Sequence, residues 1–283
     1  MLDLCAVGDL KWLIILTMAH LPVPGAMTPV LGVERLLGND AAIVALLAAR
    51  LGMRTRLVPT NAITRSDGQP LIDLLQREKV DVSLIDVEGV VTPTTFFLSP
   101  LSSDERAWLV EDCAFHYNAA FDELPDYNFA YLDIYEEHSE KRLALLQKWS
   151  QAKVRCFVNL SSSHHAEKVQ QLTHLSSIDI VQMRRGGSVD DALAWGRSAL
   201  QLCNAGAIVI TLGSVGAVLV ERQDEYFVAA EPIQPLRTIG AGASFSAGFL
   251  DALNGGANYR EATALASKCA AAFCTSSKHP LEI

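Results

Sequence analysis

The chain has 283 residues, 50% of them hydrophobic, with a formal net charge of −9, a mean hydropathy of +0.21 and an isoelectric point near 5.2. That much apolar material can bury a large core and argues against disorder, while the acidic balance argues against a general nucleic-acid or anionic-membrane binder and leaves room for a local basic site for a small anion. The longest apolar run near the N-terminus, Trp12 to Met18, is too short to cross a bilayer and follows no basic leader, so a soluble, cytoplasmic protein is expected.

In chain order, Leu2 to Val7 reads as a buried first strand that ends in Gly8-Asp9, with a functional loop at its carboxyl end. Leu13 to Val33 is apolar but broken by Pro22, Pro24 and Gly25. From Asp40, an expected N-cap, the stripe Ala41, Val44, Leu47 and Ala48 predicts a helix closed by Leu51-Gly52. A strand follows at Thr55 to Pro59, then a helix from Ser66-Asp67-Gly68 carrying Leu71, Leu74 and Leu75, with Val80 to Ile85 extending from it. Gly89 to Val110 is rich in Thr, Val and Phe around the polar turn Ser102 to Arg106 and reads as a β-hairpin.

The second half alternates more regularly. Short β-type runs at Asn128 to Ile134, Arg155 to Leu160, Ile178 to Gln182 and Ala207 to Leu212 are separated by helical segments such as Glu137 to Ala152 and Val189 to Cys203, with an Ala-rich helix at Glu261 to Thr275. Such alternation predicts a single α/β domain over residues 1–283, built on a mainly parallel sheet covered on both faces. Cysteines at 5, 113, 156, 203, 269 and 274 form no CxxC pair and are expected as buried free thiols; His164 and His165 are expected at the surface, and no metal site is predicted.

The densest motif is Thr238 to Leu250. Gly240 and Gly242 permit a tight turn, and Phe245, Phe249, Leu250 and Leu253 then follow at the spacing of a core-packed helix, so backbone N–H groups at its start would face an anion. The stretch resembles the second signature of the ribokinase-like (PfkB-type) carbohydrate kinases through Thr238, Gly240, Ala241, Gly242, Phe245, Gly248 and Phe249. Thr211-Leu212-Gly213-Ser214-Val215-Gly216 resembles the family's nucleotide-side segment, and Ala49-Arg50-Leu51-Gly52, Asp67-Gly68 and Val80-Asp81-Val82-Ser83 resemble its N-terminal pieces.

The resemblance covers nearly the whole chain. It implies a three-layer α/β/α fold with a small β-lid, formed from about residues 13–36 and 89–111, and a homodimer through that lid with Phe96 and Phe97 at the contact. It implies ATP and Mg²⁺ as cofactors, Thr211, Gly213, Ser214 and Gly216 beside the nucleotide, and Gly240, Ala241 and Gly242 as the anion hole. Asp9, Asn39 and Asp40 are then the polar candidates for binding a small-molecule acceptor.

The departures cluster at the chemistry. Ala243 stands where the family keeps its general base, and a methyl group cannot accept a proton. Leu13 and Ile43 occupy positions of substrate-binding polar residues, so with Trp12 they imply a less polar acceptor than a free hexose. Met183-Arg184-Arg185-Gly186 stands in place of a motif that helps position Mg²⁺, and Arg237 replaces an aspartate; Arg184, Arg185 and Arg237 are therefore candidates for direct anion binding. Two readings follow: an ATP-dependent kinase of a sugar or sugar-like metabolite impaired at Ala243, or a pseudokinase that binds a nucleotide or phosphometabolite without turnover.

Overall fold

Apolar runs without polar alternation become interior strands, because a parallel sheet is covered on both faces. In the computed structural model, which describes residues 2–102, 106–117, 121, 127–135, 139–161, 165–175 and 178–283, such runs form the central sheet. Its strands are β1 (Leu2–Gly8), β4 (Thr55–Pro59), β7 (Tyr127–Asp133), β8 (Cys156–Asn159), β9 (Ile178–Arg184), β10 (Ala205–Thr211), β11 (Gly216–Glu221) and β12 (Glu225–Ala229). The order is β12-β11-β10-β9-β8-β7-β1-β4, parallel from β4 to β10 and antiparallel at β11 and β12.

Helices α1 (Asp40–Leu51), α2 (Arg65–Arg77), α6 (Ala241–Asn254) and α7 (Tyr259–Thr275) contribute to one apolar core. Helices α3 (Ser139–Gln151), α4 (His165–Gln171) and α5 (Val189–Leu202) contribute to a second. The two cores alternate along the strands: in β7, Phe129 and Tyr131 belong to the first and Ala130 and Leu132 to the second. This is the three-layer α/β/α arrangement that the strand–helix alternation predicts.

A second sheet stands apart: β2 (Lys11–Met18), β3 (Val30–Gly38), β5 (Thr94–Pro100) and β6 (Ala107–Val110), ordered β3-β2-β5-β6. Its strands span residues 11–38 and 94–110, close to the expected lid. Only Asp9 and Leu10 separate it from β1, and Asn61 clamps that link by accepting from the Leu10 N–H at 2.8 Å and donating to the Leu10 carbonyl at 3.1 Å.

Several expectations need correction. The N-cap of α1 is Asn39, not Asp40. Val80 to Ile85, expected to extend from the helix, lies beyond α2, which ends at Arg77, and touches the sheet through one parallel bridge, Arg56 to Asp81. Phe97 is buried against Trp108, with ring centroids 4.5 Å apart, and Phe96 is half-buried, so neither is the exposed contact expected of them. His165 is buried in the first turn of α4. Ser103, Asp104 and Glu105 of the predicted turn, Glu137 and His164 lie outside the described residues. Gly52 does close α1, at φ 105°, donating to the carbonyls of Ala48 and Ala49.

Candidate active site

The chain leaves β1 for β4 on one side and later returns to β7 on the other, so the order of strand addition reverses between β1 and β7, the place where open α/β sheets form a crevice. Asp9 follows β1 and Asp133 ends β7. Gly8 has no room for a side chain there: a Cβ would sit 2.6 Å from Ala41 Cβ and 2.7 Å from Asp133 Oδ2.

Both carboxylates are tied to Arg142, a fully buried residue of α3. Its Nη2 donates to Asp9 at 2.7 Å and to Thr60 Oγ1 at 3.2 Å; its Nη1 donates to the Asp133 carbonyl at 2.9 Å and to the Asp133 carboxylate. Asp9 also accepts from Thr60 at 2.5 Å and pairs with Lys11 at 3.1 Å. Burial works to raise the Asp9 pKa, but Arg142, then Lys11 and Thr60, outweigh it and hold the carboxyl below its ordinary value. At Asp133 burial wins over Arg142, and with Asp9 and Asp40 reinforcing it the pKa is pushed up to about 7. Asp9, expected as an acceptor ligand, is thus already satisfied by two cations.

Asn39 enters α1 at φ 72°, ψ 142°, a region of backbone space that belongs to glycine, and its Nδ2 is buried without a hydrogen-bond partner. Asp40 follows, half-buried, and Asp133 Oδ2 accepts from the next backbone N–H, that of Ala41, at 3.1 Å. This places the start of α1 at the carboxyl edge of the sheet. Asp40 Oδ2 accepts from Asn159 Nδ2 at 2.9 Å, which also donates to Tyr131 Oη at 2.9 Å. Burial raises the Asp40 pKa, opposed by hydrogen bonds from Tyr135 and Asn159. Ser246 of α6 donates to Gln182 at 2.6 Å and to the Gly242 carbonyl at 3.1 Å.

Helix α6 opens at Gly240, left-handed at φ 92°, where a Cβ would lie 2.6 Å from Phe273 Cζ. No side chain caps it and its first turn holds no acidic residue; the Ala241 N–H donates to the Thr238 carbonyl at 3.2 Å, and around Gly242 the space is open. Ala243, in that first turn, is 1% exposed. Arg237 is turned elsewhere, donating to the carbonyls of Ser276 and Lys278.

Across the sheet, Thr211 ends β10 and a 3₁₀ turn, Gly213–Val215, includes Ser214 and leads into β11. Gly213 (φ 62°) has open space, whereas Gly216 (φ 138°) would drive a Cβ to 2.1 Å from the Val228 carbonyl. Arg184 and Arg185 extend from β9 and are tied to its neighbours: Arg184 N–H donates to Ser161 at 3.2 Å and Arg185 N–H to Thr211 at 3.1 Å. With His165 and Gly186 they line a cleft of about 290 Å³. Trp195 supports it, with the Arg185 guanidinium 4.8 Å and the His165 ring 6.0 Å from its ring. Arg184, Arg185 and Thr211 therefore come together.

These parts suit a polyphosphate: an uncapped helix start, an open glycine turn and two guanidinium groups. They do not suit a protein-held Mg²⁺. Asp191 is engaged by Ser188 in the α5 capping box, and among the described residues no group of three His, Cys, Asp or Glu is placed to hold a metal.

Trp12, Leu13 and Ile43, expected beside the acceptor, are 2%, 2% and 3% exposed and belong to the core. Trp12 Nε1 donates to the Asp67 carboxylate at 3.1 Å, with Arg35 stacked 3.6 Å above the ring. Sequence reasoning missed Asp133, Arg142, Tyr131 and Asn159. An aspartate closing the apolar run Phe129 to Leu132 is a signal that could have found Asp133; Arg142, inside a mixed helix, carries none.

Comparison with known proteins is consistent with this arrangement. Residues 3–279 match the family described as pfkB family carbohydrate kinase. A nucleoside kinase of Methanothermobacter thermautotrophicus is 26% identical over 275 residues, spanning 95% of this chain and 88% of the relative. The Arabidopsis thaliana ribokinase complexed with ribose and ATP superposes with a TM-score of 0.81 at 16% identity, covering 99% of this chain and 94% of that one. The Burkholderia thailandensis nucleoside kinase in complex with inosine gives 0.74 at 16% identity, covering 98% and 92%. At such identities the structural likeness establishes the fold alone.

Proposed function

This chain belongs to the pfkB family of carbohydrate kinases, and from that premise we propose that it binds ATP and a sugar or nucleoside and transfers the terminal phosphoryl group to a hydroxyl, at a rate limited by Ala243. The observation that carries this reading is the first turn of α6. Its glycines are retained and no side chain caps it, yet Ala243 there offers no proton acceptor.

Phosphoryl transfer depends chiefly on placement and charge neutralisation, so a retained cradle preserves part of the catalysis even without a base. Loss of a general base costs about 10²–10⁴-fold in rate. The helix start and the glycine turn at Gly213 would hold the phosphates, and Mg²⁺ brought by the nucleotide would supply charge neutralisation. ATP supplies the transferred group; the chain orients it. The relative from M. thermautotrophicus supports a nucleoside among the acceptors to test. Exposed Val30, Leu31, Val33, Trp108, Leu109 and Val110 on the lid support a homodimer through that sheet.

A second reading, a nucleotide- or phosphometabolite-binding regulatory protein, is favoured by the cleft of His165, Arg184 and Arg185, which suits an anion held without metal.

The test combines thermal-shift titration of ATP, with and without Mg²⁺, with ADP release from sugars and nucleosides for the wild type and Ala243→Asp. A Mg²⁺-dependent ATP shift and faster ADP release in Ala243→Asp are expected. ADP release from neither protein, with phosphorylated ligands stabilising equally in chelator, would reject the kinase in favour of the second reading.

A further inference from the structure

The transfer proposed above needs somewhere for the acceptor proton to go, and Ala243 has removed the usual place. Three aspartates gather at the switch point of the sheet. Asp9 is paired with Arg142 and Lys11, and Asp133 is fully buried against Arg142 and the Ala41 N–H. Asp40 differs: it is half-buried, in no ion pair among the described residues, and its partners Asn159 and Tyr135 are neutral donors. Neutral donors lower the basicity of a carboxylate less than a paired guanidinium or ammonium does, and at Asp40 burial outweighs them and leaves the carboxylate more basic than usual.

Asp40 also sits on a helix that packs against α6. From Asn159 a hydrogen bond runs to Tyr131, and on α6 Ser246, one helical turn beyond Ala243, donates to Gln182 and to the Gly242 carbonyl. The entry to α1 bears the mark of a functional constraint: Asn39 is held in glycine-type backbone, with its amide nitrogen unpartnered, immediately before Asp40.

We propose that Asp40 is a catalytic residue that takes the proton from the acceptor hydroxyl, standing in for the base absent at Ala243; this rests on the kinase reading above. The hydroxyl O–H bond breaks, its proton passes to the Asp40 carboxylate, and the oxygen's electron pair forms the new bond to the terminal phosphorus of ATP. The bond from that phosphorus to the bridging oxygen breaks, and ADP leaves with the electron pair. Asp40 then returns its proton to water. Asn159 and Tyr135 are positioning residues that fix the carboxylate.

The experiment measures ADP release from MgATP with ribose, fructose, adenosine and inosine for wild type, Asp40→Asn, Ala243→Asp and the double variant, with acceptor-induced thermal shift as a separate readout of binding. Asp40→Asn is expected to lower kcat by about 10²-fold or more while keeping KM and the acceptor-induced shift. Ala243→Asp is expected to restore turnover to Asp40→Asn, a rescue that a purely structural role would not allow. The wild-type rate should rise with pH through a midpoint above that of an ordinary carboxylate, and Asp40→Asn should lose that limb. The groups facing Asp40 are Tyr131 and Asp133 on β7, Tyr135 just beyond it and Asn159 on β8, with Asp9 and Arg142 behind. Active wild type with Asp40→Asn unchanged overturns the proposal and leaves the kinase reading standing. A loss in Asp40→Asn that Ala243→Asp does not repair overturns it as well, in favour of a structural role. Silence of both wild type and Ala243→Asp with every acceptor overturns the proposal and the kinase reading together.

Discussion

Replacing Arg142 by Met keeps much of the side-chain volume in α3 but removes the charge between Asp9 and Asp133. In the native chain the guanidinium is fully buried and donates to both carboxylates, to the Asp133 carbonyl and to Thr60. Without it Asp133 is left without a cation while Asp9 keeps only Lys11. Removing one partner of a buried pair costs about 3–5 kcal/mol, because the remaining charge stays desolvated. For a chain of this length the unfolding entropy makes 1 kcal/mol worth about 2 °C, so Arg142→Met should lower Tm by roughly 5–10 °C. Calorimetry or urea unfolding at neutral pH reads the loss directly. Adding Asp133→Asn to Arg142→Met should change stability by less than about 1 kcal/mol, because Asp133, already raised to about 7 beside the guanidinium, takes up a proton at neutral pH once Arg142 is gone. A loss below about 1 kcal/mol in the single variant would show that the cluster is hydrated rather than sealed and would refute the reasoning.

Two further outcomes can be checked on the same material. Asn39→Gly relieves glycine-type backbone strain of about 1–3 kcal/mol and removes an unpartnered buried amide, against about 0.5–1 kcal/mol of added chain entropy, so Tm should rise; a fall contradicts the strain assigned to Asn39. For Asp133 the ordinary pKa of 3.8 becomes about 7 in the folded chain, so between those values the native state holds a proton that the unfolded state has released. Its contribution to stability is therefore full at low pH and declines as pH rises toward 7. Asp133→Asn cannot titrate, so Tm of the variant minus Tm of wild type should increase steadily from pH 5 to pH 8, and a constant difference would argue against the raised value.

Much of the scaffold is legible in the sequence because its signals are local. The apolar run Leu2 to Val7, the Gly52 stop of α1 and the strand–helix alternation after Asn128 each depend on a few neighbouring residues. The glycine turn at Gly240 and the Thr211 to Gly216 segment are legible for the same reason. What the sequence hides is pairing at long range. Nothing near Asp9 announces that a residue 133 positions later neutralises it, nor that Arg237 will be spent on the carbonyls of Ser276 and Lys278. The apolar character of Trp12, Leu13 and Ile43 was visible, but apolarity alone does not tell a ligand floor from a core wall. Asp40 looked like a helix cap because aspartate favours that position, and the extra polar link through Asn159 and Tyr131 arises only when β7, β8 and α1 meet.

The two-residue link between β1 and β2 has a mechanical consequence. Asp9 and Leu10 carry the chain from the main sheet into the lid, and Asn61 grips Leu10 by both its N–H and its carbonyl. The second sheet is therefore stapled to the first at its entry. Displacing β2 would pull on those two hydrogen bonds and on Asp9, which Arg142 holds. The second sheet and the charge cluster are thus two residues of backbone apart, and a substitution at Asn61 would loosen the join between them.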